Sequence, residues 1–95
     1  MAHYLTIPEV TDAEELVAFT KTGEHSFDIM LNAGNTATWL FQAAATGTLI
    51  PLVVIVADGP MFALDDVVVS SAVAGGNPED ARMTFTLDAR ELRYF

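Results

Sequence analysis

Thirteen carboxylates, two histidines and an adjacent pair of serines are the side chains of this chain that could move protons, hold a metal ion or attack a carbonyl. Metal binding by histidine needs a second donor at strand or helix spacing, HxH or HxxxH. His3 and His25 are far apart, and neither has a carboxylate placed to complete such a pair. They read as ordinary surface or edge residues. Acid and base work by two carboxylates needs the groups to converge. Asp65 and Asp66 are adjacent and on a strand would face opposite sides, while Asp58 lies across the intervening turn. These aspartates read as a turn and a solvated rim, with a weak divalent-cation site as the functional alternative. Ser70 and Ser71 lie in VVVSSAVAGG, without the flanking glycines of a G-x-S-x-G nucleophile elbow. Gly75 and Gly76 run into Asn77 and Pro78 rather than into a helix, which makes them a loop device and no phosphate cradle. Trp39 could stack on a ligand, yet on a helix beside Leu40 and Phe41 it reads as core or interface. We therefore expect no catalytic residue, no cofactor and no metal site.

The bulk properties point to assembly instead. With 95 residues the chain is read as a single domain, 1–95. Surface scaling gives it roughly 5,300 Å² when folded against roughly 14,800 Å² when open. Ordering each residue costs on the order of 1.5 kcal/mol, so a β-rich monomer of this size needs a further staple. There is no Cys to supply disulfides or thiolate metal sites. Oligomerisation is the remaining support, and 52% hydrophobic residues with a mean hydropathy of +0.36 agree with it. Four Lys and Arg against 13 Asp and Glu give a net charge of -9, which repels phosphate backbones and anionic membranes alike. Nucleic acid and lipid headgroups are excluded as expected partners. The N-terminus has no basic start followed by an apolar run, so a cytoplasmic protein is expected. LIPLVVIVA is far shorter than the roughly 20 residues a helix needs to cross a bilayer.

The elements that would position these residues are mostly strands. HYLTIPEV alternates, with His3, Leu5 and Ile7 on one face and Pro8 near an edge or end. The following segment is ambiguous: Thr11 and Glu14 resemble a capping box ahead of helix formers, while Leu16 to Thr20 also suits a strand. SFDIML places Phe27, Ile29 and Leu31 on one face. One short helix, about residues 36–46, follows, with Asn35 as the expected N-cap, Ala37, Leu40, Phe41 and Ala44 at helical spacing, and Gly47 as a left-handed C-cap. In LIPLVVIV, Leu52, Val54 and Val56 point one way, and Val53 and Ile55 the other. A strand apolar on both faces needs a cover on both, and another subunit is a ready second cover. MFALDDVVVSSAVAGG reads as a strand with a bulge or bend around Asp65 and Asp66, then Val67, Val69, Ser71 and Val73 alternating against Val68, Ser70 and Ala72. After the loop GGNPED, Met83, Phe85 and Leu87 face inward, a bend falls near Ala89, and the face resumes at Leu92 and Tyr94. The expected class is mainly β: a small β-barrel or two-sheet sandwich of antiparallel strands with one short helix packed against it.

Three stretches in order, SFDIMLNAGNTATWLFQAAATGTLIPLVVIV, FALDDVVVSSAVAGG and ARMTFTLDARELRYF, together resemble the haemolysin-coregulated protein family, the inner-tube subunits of type VI secretion systems. Leu40, Ala43, Ala44, Thr46 and Gly47 match that family's helix motif "SPxLxxAxxTG". Leu64, Asp66, Val67, Val69, Ser70 and Ser71 match its "LxDVxVSS" strand, and Leu92 and Tyr94 its closing strand. The resemblance covers about two thirds of the chain and turns the ambiguous 14–20 segment toward strand. It implies a β-barrel-like pair of sheets with a helix on one side, and a non-enzymatic subunit that joins copies of itself into a ring, a hexamer by the family's habit. It further implies stacking into tubes, secretion-system or tail components as partners, and export through a contractile apparatus. The chain is shorter than a usual member and leaves no room for the long loop with which such subunits clasp their neighbours. On this reading Leu52, Val53, Val54, Ile55 and Val56 carry core or self-assembly contacts, and Trp39, Leu40, Phe41 and Ala44 brace the fold. The rival reading is a small β-barrel binding module, a soluble adaptor or ligand-binding protein in which the helix and Trp39 border a pocket.

Overall fold

Alternating apolar residues dictate most of what forms. The computed structural model describes residues 3–8, 10–57, 61–75 and 81–94. Its elements are β1 (His3–Ile7), β2 (Thr11–Leu16), β3 (Ala18–Lys21), β4 (Ser26–Asn32), α1 (Asn35–Thr46), β5 (Ile50–Val56), β6 (Met61–Gly75) and β7 (Arg82–Tyr94). All strands join one antiparallel sheet of order β2-β1-β5-β6-β7-β4-β3. Its two edge strands are neighbours in the chain, with only Val17 between them. The Val17 N–H bonds the Met30 carbonyl at 2.8 Å, so a single bent segment ties one edge of the sheet to the other. The architecture expected as a barrel or sandwich is thus one sheet curled on itself. The turn expected at Asp58 to Pro60 and most of the GGNPED loop lie outside the described residues.

The curl has a crease. On β6 the buried residues of the core cluster are Leu64, then Val67 and Val69, with Ala63 buried outside that cluster, so the inward face changes parity across Asp65 and Asp66. Asp66 has φ 53, the left-handed conformation that a non-glycine residue seldom adopts, and this lets the strand turn over while keeping register with β5. The neighbouring strands change face at the same level: Ile50 then Val53 on β5, and Leu87 then Leu92 on β7. The bends expected at Asp65–Asp66 and Ala89 are therefore one feature shared by paired strands. A register shift follows between Val69 and Ser71. It rotates Ala72 toward the core and leaves Val73 57% exposed, so the expected alternation that kept Ser71 and Val73 with Val67 and Val69 breaks after Val69.

The core lies inside the curl, where Phe27, Ile29, Leu31, Phe85 and Leu87 on one half meet Leu5, Ile7, Val53, Ile55 and Leu64 on the other. The segment from Thr11 to Lys21 is strand on both sides of Val17. The helix formers Ala13, Glu14 and Glu15 are drawn into β2 because their backbone pairs with β1, Glu14 opposite Leu5 and Glu15 opposite Tyr4. Helix α1 buries Thr36, Ala37, Leu40 and Ala43. Phe41 meets Phe85 edge-on, with ring centroids 5.1 Å apart. Gly47 closes the helix at φ 67, and its N–H bonds the Ala43 carbonyl. The N-terminus differs from expectation. Asn35 is the first helical residue, Gly34 occupies the cap position, and no side chain caps the helix. The Gly34 carbonyl instead accepts from both the Thr38 N–H at 3.0 Å and the Thr38 hydroxyl at 2.9 Å.

Candidate functional site

The residues that could do chemistry are dispersed. His25 is exposed in the turn before β4, where its carbonyl accepts the Ala89 N–H at 2.9 Å. His3 is on β1, its ring edge-on to Phe19 at 5.6 Å and its Nδ1 buried without a hydrogen-bond partner among the described residues. Asp65 and Asp66 lie in the crease rather than at a turn. Asp65 accepts both guanidinium bonds of Arg93, at 2.8 and 3.0 Å, and Asp66 faces Arg90 at 3.5 Å. Each aspartate thus pairs with an arginine of β7, which ties the strands together where both turn over. Ser70 is exposed, its hydroxyl 3.4 Å from the Thr86 carbonyl it donates to, and Ser71 is exposed beside it. No group of three His, Cys, Asp or Glu side chains is gathered for a metal ion among the described residues.

A polar row crosses the outer face of β4 and β7. Register sets Ser26 opposite Asp88 and Asp28 opposite Thr86. The Ser26 hydroxyl donates to Asp88 at 2.5 Å, and the Thr86 hydroxyl to Asp28 at 2.8 Å. Hydrogen bonds from Ser26 and then Ser70 hold the Asp88 carboxyl below its ordinary value, against a smaller opposing effect of burial. These pairs are satisfied cross-strand links.

The second half of the sheet presents a different surface. On β5, Val53 and Ile55 are fully buried, whereas Leu52, Val54 and Val56 are half-buried on the opposite face. Across the strands Val56 stands between Tyr4 and Met61, which are 39% and 38% exposed. Tyr4, Val54, Val56 and Met61 therefore make a mostly apolar strip on the outside of β1, β5 and β6. The strip follows from alternation, but the part of Tyr4 and Met61 in it depends on register, which no local pattern specifies. The β5–β6 ladder ends at the pair Ile50–Val67, and from Val68 to Gly75 β6 pairs with β7 alone among the described residues.

The remaining family-like positions divide between core and surface. Leu64 and Val67 are fully buried and Val69 nearly so. Thr46 is exposed, its hydroxyl donating to the Gln42 carbonyl at 2.9 Å and standing 2.6 Å from that of Thr48. Leu92 packs on the core, and Tyr94 is 62% exposed but edge-on to Phe62 at 5.1 Å. In the helix, Leu40 is fully buried, Phe41 and Ala44 are partly buried on the core, and Trp39 borders an open cleft of about 450 Å³ beside the start of β5. No helix among the described residues is long and apolar enough to cross a membrane.

No family model matches the chain, and no curated protein matches its sequence. Solved structures do match its fold. The crystal structure of Hcp2 from Salmonella typhimurium superposes with a TM-score of 0.87 at 12% identity, covering 99% of this chain and 85% of that one. A type VI secretion system effector from Yersinia pestis gives 0.82 at 14% identity, over 95% of this chain and 84% of that one. A chain of the anti-feeding prophage baseplate, a 6-fold symmetrised cryo-EM structure, gives 0.60 at 9% identity, over 99% and 91%. The fold of this chain is that of the Hcp proteins, shared across nearly its whole length.

Proposed function

We propose that the chain is a non-enzymatic structural subunit that assembles with copies of itself into rings, in the manner of an inner-tube protein of a contractile injection system. The observation that carries this reading is the match to Hcp2 over 99% of the chain. Two surfaces support it. The apolar strip of Tyr4, Val54, Val56 and Met61 offers area to bury against a neighbour, and Leu52, on the same face of β5, extends it. The half of β6 from Val68 to Gly75 has an edge free of any strand among the described residues, where a neighbouring chain could add backbone hydrogen bonds.

Closed rings built from one chain need two different complementary patches on each subunit, and a sheet face and a strand edge are such a pair. The 6-fold symmetry of the baseplate structure makes six the stoichiometry to look for. Tail or secretion-system components would then be the partners at the ends or outside of a stack, and export through the apparatus would follow from that setting. Negative-stain electron micrographs of the purified chain test the proposal. Rings of uniform diameter, single or stacked, are expected. Featureless fields of small particles at concentrations well above micromolar would overturn it.

A further inference from the structure

We propose that the cleft beside Trp39 is a binding site for an uncharged aromatic small molecule. The cleft arises from a mismatch in strand lengths. Pairing of β1 with β5 ends at Thr6 opposite Val54, and β1 itself ends at Ile7, before Pro8, which has no N–H to continue the ladder. The chain then turns, with the Val10 N–H on the Ile7 carbonyl at 2.9 Å. The first residues of β5 are left without a strand on that side among the described residues. Helix α1 supplies the opposite wall through Trp39. Between them is the cleft of about 450 Å³ lined by nine residues, among them Pro8, Trp39, Thr48, Leu49, Pro51 and Leu52.

Size selects the kind of occupant. The volume lies within the roughly 300–1,000 Å³ of small-molecule sites. A stable protein interface takes about 20–30 residues a side, more than the nine described residues that line the cleft. Charge selects the chemistry. The chain carries a net charge of -9, yet no charged residue occurs between Asp28 and Asp58, and none is among the described residues that line the cleft. Among those described residues an anion would find no cation to receive it against the overall negative field, and a cation no carboxylate. Polar anchoring is sparse as well, because the one hydroxyl in the lining, that of Thr48, is already engaged with Thr46 at 2.6 Å. What remains is flat apolar area: the indole of Trp39, the rings of Pro8 and Pro51, and Leu49, which is 54% exposed. An aromatic ring satisfies that surface by stacking and by burial. A second concavity of about 220 Å³ lies against Trp39 and Thr48 from the side of Gln42 and Thr46, so the indole borders a hollow on each side. The site meets the proposed assembly strip at Leu52, while Tyr4, Val54, Val56 and Met61 are not among its described lining residues.

Trp39 is the only tryptophan, so its emission reports on the cleft directly. The test titrates the full chain with N-phenyl-1-naphthylamine, an uncharged aromatic fluorophore that accepts energy from indole. Saturable binding at one probe per chain is expected, with quenching of Trp39. Leu49→Arg and Thr48→Arg, both at exposed positions, are expected to weaken binding at least tenfold while thermal unfolding stays within a few degrees of wild type. Unsaturable binding, quenching absent at saturation, or wild-type affinity in both folded variants would overturn the site. So would a Trp39 emission that shifts with protein concentration alone, because it would mean that a second copy covers the cleft.

Discussion

Replacing Phe41 and Phe85 by leucine, singly and together, measures how α1 is held to the sheet. Phe85 is fully buried on β7, opposite Ile29 on β4 and Ala72 on β6, and its ring receives the edge of Phe41 at 5.1 Å. Phe85→Leu removes buried ring area and leaves a partly collapsed cavity, at a cost of about 1–2 kcal/mol. Phe41 is only partly buried, so Phe41→Leu costs about 0.5–1 kcal/mol. An aromatic pair adds about 0.5–1.5 kcal/mol beyond area, so the double variant should be less destabilised than the sum by that amount. The total stability of a chain this long is roughly 5–14 kcal/mol, which keeps all three variants folded. Urea unfolding followed by far-UV circular dichroism, at one protein concentration and with a shared slope, gives the four free energies. Additive effects within error would refute the claim that the helix is anchored through this ring pair.

Three further outcomes follow from the same structure. Gly47→Ala should cost about 1 kcal/mol, because φ 67 is unfavourable for alanine while its Cβ meets nothing within 4 Å; an unchanged urea midpoint would mean that the cap is not left-handed. Ser26→Ala should raise the Asp88 pKa from its depressed position, as read by NMR titration of the carboxyl. A depressed aspartate contributes stability that is present above its ordinary value of 3.8 and is lost as pH falls through the lower folded value, so the variant should lose this contribution at higher pH than wild type. Coincident titration curves would remove the hydrogen bond from the account. Val53→Asp places an unpaired charge at a fully buried position, and no folded protein is expected by circular dichroism; a native spectrum would place Val53 on the outer face instead.

Legibility in the sequence tracked how local each cause was. Phe27, Ile29 and Leu31 on β4, and Phe85 and Leu87 on β7, announce their shared face by alternation, and all five are buried. The span of α1 and its glycine cap were readable because helix period and left-handed glycine are local signals. The expected cap at Asn35 differs because Gly34, not Asn35, holds the cap position and has no side chain to accept from the first turn. Helix propensity in the DAEEL run pointed away from the strand it forms, since pairing with β1 outweighs it. The crease could be placed at Asp65–Asp66 and Ala89, but its unity across strands depends on register. The walls of the Trp39 cleft depend on where β1 stops pairing, so the rival reading could set the helix and Trp39 beside a pocket but not name its lining. The overall likeness to the tube-subunit fold was legible in three motif stretches, and the superposition extends it to the N-terminal third.

Self-assembly through the outer face of β5 is the central claim, and light scattering on size-exclusion peaks of wild type and Val54→Asp tests it most directly. Val54 is half-buried on the outer face, opposite Thr6 and Ala63, so a charge there can reach solvent in a monomer but not inside an interface. The account predicts a wild-type mass of several chains, falling to one chain in Val54→Asp with the circular dichroism spectrum retained. A wild-type mass of one chain at every concentration, or an unchanged multimer in the folded variant, would contradict it.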